Sequence, residues 1–151
     1  MREAIHRDPV WRSQADFVIG VSIDPQSTSV STEQLWAKKV GPTRYQVCCV
    51  PFFAYDLALG DIVEVDASYM IERVVARSGR FVFRVYFPEA MFGVRDEVIA
   101  ELTGLGALVE WSSSSMFAVD VPHERSARAV SDYLSAQEAQ GRLIYETGKT
   151  R

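Results

Sequence analysis

The stretch Pro51–Asp66, PFFAYDLALGDIVEVD, constrains the fold more than any other part of the chain. Pro51 fixes its own backbone angle and biases Val50 toward an extended conformation, so a strand running into it must stop and turn. Phe52, Phe53 and Tyr55 follow at once. Aromatics this close together each need a large area removed from water, which a core seam supplies more readily than an exposed patch. Gly60-Asp61 is a permissive turn, and beyond it the pattern alternates, with Val63 and Val65 on one face and Ile62, Glu64 and Asp66 on the other. The expectation is an aromatic plug, with Phe52, Phe53 and Tyr55 mostly buried, leading into a half-buried strand. Nothing in the stretch discloses a reaction.

The 151 residues suffice to bury about two thirds of the unfolded surface without disulfides or metal. An apolar content of 48% and a mean hydropathy of -0.02 are those of a globular chain. No apolar run approaches the roughly 20 residues of a membrane helix, and the charged segment MREAIHRDPVWRSQAD has no signal-peptide core, so a soluble cytoplasmic protein is expected. Cys48 and Cys49 are adjacent in a strand-like run and point to opposite faces. With His6 and His123 the only imidazoles, a structural zinc site lacks ligands. A net charge of -4 disfavours wholesale phosphate binding.

Taken in order, residues 1–15 read as a polar, mobile leader with Pro9-Val10-Trp11 as its one anchor. Residues 16–80 form a β-rich unit. It contains a strand over Phe17–Ile23, a loop over Asp24–Ser31, and a segment Glu33–Lys39 that fits a strand better than a short helix. A further strand runs over Arg44–Val50, with Tyr45, Val47 and Cys49 on one side. Ser78-Gly79 is expected to close a hairpin between Ile71–Arg77 and Phe81–Phe87, setting Arg73 opposite Arg84 and Val75 opposite Val82. The same face rule sets Glu64 opposite Arg73 and Val63 opposite Val74, giving a polar ladder Glu64–Arg73–Arg84.

After Phe87-Pro88 the period changes. Val94, Val98, Ile99, Leu102 and Leu105 share a helical face, Ala107–Trp111 and Met116–Val121 flank a serine turn, and Pro122 opens a second helix with Ala127, Val130 and Leu134 inward. Leu143–Tyr145 is a closing strand before a tail at 148–151. The fold class expected is α+β: a small N-terminal β-barrel or rolled sheet, then a ferredoxin-like βαββαβ unit over 81–147.

Taken together, the segments LWAKKV, YQVCCVPFFAYDLALGDIVEV, the Ser-Gly turn, ALVEW, FAVDVP and GRLIYETG resemble a family of small bacterial proteins known only as a domain of unknown function. In that family a Leu-Trp-Ala segment precedes a Pro-Phe-Phe-Ala-Tyr, Gly-Asp-x-Val core. The resemblance spans roughly Phe17 to Gly148. It implies a shared fold and carries no catalytic residues over.

Chemistry-bearing candidates are sparse. Asp56, Asp61, Glu64 and Asp66 could supply paired carboxylates or a cation site, but alternation sends Asp61 away from Glu64 and Asp66, so a turn aspartate and a solvated strand face are expected. His123 begins a helix far from Ser112–Ser115, which argues against a Ser–His pair. Cys48 and Cys49 read as inert packing. Arg44, Arg73, Arg77, Arg80 and Arg84 with Tyr45, Tyr69 and Tyr86 would suit RNA if they formed one surface, although Glu64 lies in the same ladder. No phosphate loop, HExxH, GxSxG or dinucleotide fingerprint occurs.

The functional expectation is a non-enzymatic binding protein, an immunity or inhibitor-type partner of another bacterial protein, its acidity suited to a basic cleft. No catalytic, cofactor or metal residue is assigned. Glu64, Asp66, Arg73 and Arg84 are the candidate binding surface, and a nucleic-acid or small-ligand-binding regulatory module is the alternative.

Overall fold

The computed structural model describes residues 2–24 and 29–149. These form an α+β fold with two sheets and two helices. The first sheet contains β1 (Arg2–Ala4), β2 (Phe17–Ser22), β3 (Val30–Lys39), β4 (Arg44–Val47), β5 (Ile62–Val65) and β6 (Ile71–Ala76). The second contains β7 (Phe81–Tyr86), β8 (Leu108–Ser113), β9 (Met116–Val121) and β10 (Ile144–Thr147), with α1 (Arg95–Gly104) and α2 (Glu124–Ala139) as its helices.

In the first sheet β3 is the longest strand and organises its neighbours: β2 pairs along one edge, β1 and β4 along the other, and β5 and β6 follow in turn. Its inward positions alternate strictly over Glu33, Leu35 and Ala37. The segment Glu33–Lys39 is thus strand, as its neighbours required. The sheet rolls until a single parallel bridge, Gly20 to Met70, links β2 to the start of β6. Among the described residues this is a rolled sheet with a one-bridge seam, and no closed barrel forms. A Cβ on Gly20 would lie 2.6 Å from the Met70 sulfur, so the missing side chain lets the seam close.

The expected register within this sheet holds. Glu64 faces Arg73, Val63 faces Val74, and Val63 and Val65 are buried while Glu64 is not. The loop expected over Asp24–Ser31 lies partly outside the described residues, and β3 has already begun at Val30. The N-terminal segment departs from expectation. Instead of a mobile leader, β1 pairs in parallel with β3 and the His6 side chain is sealed from solvent.

The second sheet runs β10-β7-β9-β8, all antiparallel. Val98 and Leu102 of α1 and Ala127, Val130 and Leu134 of α2 pack with Val85, Phe117, Val119 and Val121 on one face. The opposite face meets the rolled sheet through Val82, Met116 and Ala118, which pack with Val50, Phe52 and Ala58. All six residues of β9 are therefore buried, since both of its faces are covered.

The hairpin expected between β6 and β7 does not form. The Ser78 N–H donates to Asp61 Oδ1 and its hydroxyl to the Leu59 carbonyl, at 2.8 and 2.7 Å. These bonds fasten the connection to the Gly60-Asp61 turn, and the chain crosses there from one sheet to the other. Gly60 has φ +84°, and a Cβ on it would sit 3.1 Å from Ser78 Cβ and 3.4 Å from the Trp11 ring, so two segments close over a residue with no side chain. Arg73 and Arg84 consequently lie in different sheets.

The aromatic plug is graded. Phe52 is buried between the sheets, Phe53 is half-buried, and Tyr55 is 40% exposed. Phe52→Ala is expected to cost about 3–5 kcal/mol and Phe53→Ala less, measured by chemical denaturation. A Phe52→Ala protein as stable as the parent would contradict this placement.

Candidate functional site

Two sites meet at the junction of the sheets, and the loop after β4 separates them. Beneath it lies a sealed ionic cluster. His6 Nε2 is 2.6 Å from Glu33 Oε2 on β3, and its Nδ1 bonds Glu110 on β8, with all three side chains at zero exposure. An ionised carboxylate can only accept, so an imidazole between two of them must donate from both nitrogens and be an imidazolium. The excess negative charge is met by backbone N–H groups. Glu33 accepts from Phe52, Phe53 and Ala54 at 2.7–3.0 Å, and Glu110 Oε1 accepts from Val50 and Val10 at 3.0 and 3.3 Å.

Phe52 stacks on the His6 ring at 3.8 Å, and the Trp36 indole N–H donates to the His6 carbonyl at 2.8 Å. Burial alone would pull the imidazole's pKa down. The carboxylates of Glu110 and Glu33 bonded to its two nitrogens outweigh it and hold His6 well above 6.5. Burial raises Glu33 in turn, but the bond and charge of His6 and the amides of Phe52 and Phe53 hold its carboxyl below 4.5. Burial pushes the Cys49 thiol above 9.0, against the lowering influence of His6. Thiol, imidazole and carboxylate are the components of a nucleophilic triad, but a neutral thiol at zero exposure has no route to a substrate.

The loop is gripped from its other side by Arg84 of β7. Its guanidinium donates to the Phe53 and Ala54 carbonyls and lies 4.8 Å from the Tyr55 ring, while Glu146 of β10 stands 3.9 Å away. Glu146 also accepts from the Tyr55 and Tyr86 hydroxyls. Glu33 thus takes the amides of residues 52–54, and Arg84 takes the carbonyls of 53 and 54.

Outside the loop, where it reaches β7 and the segment after β10, a cleft of about 430 Å³ opens. Leu57, Ala58, Phe81 and Val82 contribute apolar surface, and Arg77, Arg80 and Lys149 contribute cationic groups. Arg80 grips the fully buried Asp120 of β9 through Nε and Nη2 at 2.8 and 2.5 Å. Burial pushes the Asp120 carboxyl up, and Arg80 pulls it back. Asp61 turns inward, accepting from the Ala58 and Ser78 amides at 2.9 and 2.8 Å, with Arg77 3.7 Å away. Asp56 at the rim has φ +60°, rare for a residue with a Cβ, and is held there by its N–H to the Gly148 carbonyl at 2.7 Å and by Arg77 on its own carbonyl.

A family model for a domain of unknown function, DUF4265, matches residues 33–145, well over half of the chain. The chain belongs to the DUF4265 family. A crystal structure of a hypothetical protein from Neisseria gonorrhoeae shares the fold, with a TM-score of 0.71 over 89% of this chain and 96% of that one, at 17% identity. No curated protein matches. The DUF4265 match opens at Glu33 and takes in the gripped loop, Arg84 and Glu110, while His6 lies before it.

The residues expected to form one surface are dispersed in the DUF4265 fold. Glu64 and Arg73 do meet, at 3.7 Å, with Arg44 on the other side of Glu64 at 3.1 Å. Asp66 instead caps its own turn by accepting from the Ser68 and Met70 amides. Arg84, expected on that surface, lies instead inside the junction with its side chain 1% exposed. Among the described residues no group of three or more His, Cys, Asp and Glu is placed to hold a metal ion, and no helix is long and apolar enough to cross a membrane.

Sequence reasoning missed the His6–Glu33–Glu110 cluster. One signal was available: once Leu35 is set inward, period two sets Glu33 inward as well. The cluster makes stability depend on pH. His6, raised above 6.5, contributes fully below 6.5 and loses that contribution as pH rises through its folded value; Cys49, raised above 9.0, adds a loss only above 9.0. Glu33, lowered from 4.5, contributes above 4.5 and loses that contribution as pH falls. Chemical denaturation should show falling stability between pH 6.5 and 9.0. His6→Gln should flatten that slope and cost about 3–5 kcal/mol at its acid end. Parallel pH profiles for parent and variant would refute the imidazolium.

Proposed function

We propose that this DUF4265 protein is a non-enzymatic binding module whose ligand seat is the cleft beside the gripped loop. One observation carries the reading: a cleft of about 430 Å³ at the junction of the two sheets combines an apolar floor with a few cationic groups. This matches the size, position and lining of small-molecule sites, which favour junctions between units and volumes of roughly 300–1,000 Å³. The one thiol–imidazole–carboxylate set is sealed away and engaged in holding the loop, which supports binding over catalysis.

The order β10-β7-β9-β8 supports describing the second unit as ferredoxin-like, and the one-bridge seam supports a barrel-like description of the first. In that arrangement the sheet face that could meet RNA packs on the rolled sheet instead. This favours the cleft over the nucleic-acid alternative. The net charge of -4 supports a second reading, a cytoplasmic immunity or inhibitor-type role toward a basic protein partner. A co-purifying basic protein encoded beside this gene would favour it.

Titration of isotope-labelled protein with mixtures of small metabolites tests the first reading. Amide resonances of Ala58, Phe81, Val82 and Gly148 are expected to shift together while those of β4 and β5 stay in place. Shifts confined to the helices or the edge strands, with none around the cleft, would overturn it.

A further inference from the structure

We infer that the cleft takes a small monoanion with an apolar body, such as an aromatic or branched aliphatic acid; this rests on the cleft being the ligand seat. The charges around the cleft are sorted by depth. Asp61 lies in its wall and Asp120 behind Arg80, 1% and 0% exposed at the side chain, with their oxygens committed to backbone amides and to Arg80. The cations stand further out: the Arg77 side chain is 61% exposed, Arg80 is 21% exposed, and Lys149 is exposed with its ammonium 5.4 Å from the centre of the Phe81 ring.

A ligand arriving from solvent therefore meets guanidinium and ammonium groups first, with hydrogen bonds to spare. Arg80 uses only Nε and Nη2 on Asp120, which leaves Nη1 free to donate. Asp120, Asp61 and Asp56 match Arg80, Arg77 and Lys149 in number, so the cleft has no surplus charge to hold a polyphosphate, and what it offers is the outward-facing donors of the three cations, enough for a single carboxylate. Behind the cations the lining turns apolar, with Leu57, Ala58 and Val82 nearly buried and the half-buried Phe81 ring beside them. Such a surface gains from covering a hydrocarbon body but offers little to a fully hydrated ion.

Two probes that share an aromatic body separate ligand class from site: 8-anilinonaphthalene-1-sulfonate, an anion, and N-phenyl-1-naphthylamine, which is neutral. Fluorescence titration of the folded full chain, its fold checked by near-UV circular dichroism, should give saturable 1:1 binding of the anion. Arg77→Gln and Lys149→Gln should each weaken that binding about tenfold, as expected for the loss of one charge-assisted contact. Arg73→Gln, on the remote β5–β6 ladder, should leave it unchanged. Arg80 is left intact because its removal would strand the buried Asp120.

Equal binding of both probes, with neither charge variant altering the anion's affinity and cleft resonances shifting, would overturn the ligand class and leave the cleft as a seat. Anion binding unaffected by both variants and without shifts at the cleft would place the probe elsewhere and overturn the inference. Binding of neither probe would overturn it as well. The metabolite titration would then show whether the cleft reading itself survives.

Discussion

The junction depends on the carboxylate of Glu33. It is buried on β3, accepts three consecutive amides of the loop after β4, and holds the His6 ring that carries the N-terminal segment. Each of those amides would otherwise lie unpaired in an apolar seam, at a cost of about 1–3 kcal/mol apiece. The carboxylate in turn would be untenable there without the imidazolium. Glu110 repeats the arrangement from β8 and binds the opposite edge of the same ring, so one residue of the N-terminal segment joins both sheets. The result is a polar fastening set inside a hydrophobic junction.

Such a fastening adds specificity that apolar packing alone does not provide. Val82, Met116 and Ala118 of the second sheet are short or flexible side chains and would tolerate several ways of meeting Val50 and Phe52. Glu33 and Arg84, bonding the amide and carbonyl sides of the same few residues, select one of them. We regard Arg84 as the counterpart of Glu33: a buried cation that reads backbone carbonyls where the carboxylate reads backbone amides. The loop they hold continues to the rim of the cleft at Asp56 and then to the inward-facing Asp61, so the shape of the cleft follows from the fastening beneath it. The left-handed backbone at Asp56 is kept by bonds to Gly148 and Arg77, two segments that meet it only when both sheets are in place.

Much of this architecture was legible in local pattern. Alternation placed β5 and helical period placed α1 and α2, and with them the inward Val63, Val98, Leu102, Val130 and Leu134, because these faces are set by the spacing of apolar residues along one element, while the serine turn placed β8 and β9 on either side of it. The pairing of Glu64 with Arg73 followed because opposite charges fit across a strand pair and a one-residue slip would have set Glu64 against Glu72. The aromatic run Phe52–Tyr55 marked the junction, although it could not show that Tyr55 would emerge from it.

What tertiary structure alone decided were contacts between segments far apart in the chain. Ser78-Gly79 has the composition of a hairpin turn, yet the bonds from Ser78 to Leu59 and Asp61 redirect the chain into a second sheet, and this put Arg84 inside the protein instead of beside Arg73. His6 sits in a polar segment without period, and its burial arises only because Glu33 and Glu110, 27 and 104 residues away, converge on its two nitrogens. A sequence displays the preferences of each element through the spacing of its side chains. The pairing of buried charges and the closing of the cleft depend on which elements meet, and that was decided only when the two sheets packed together.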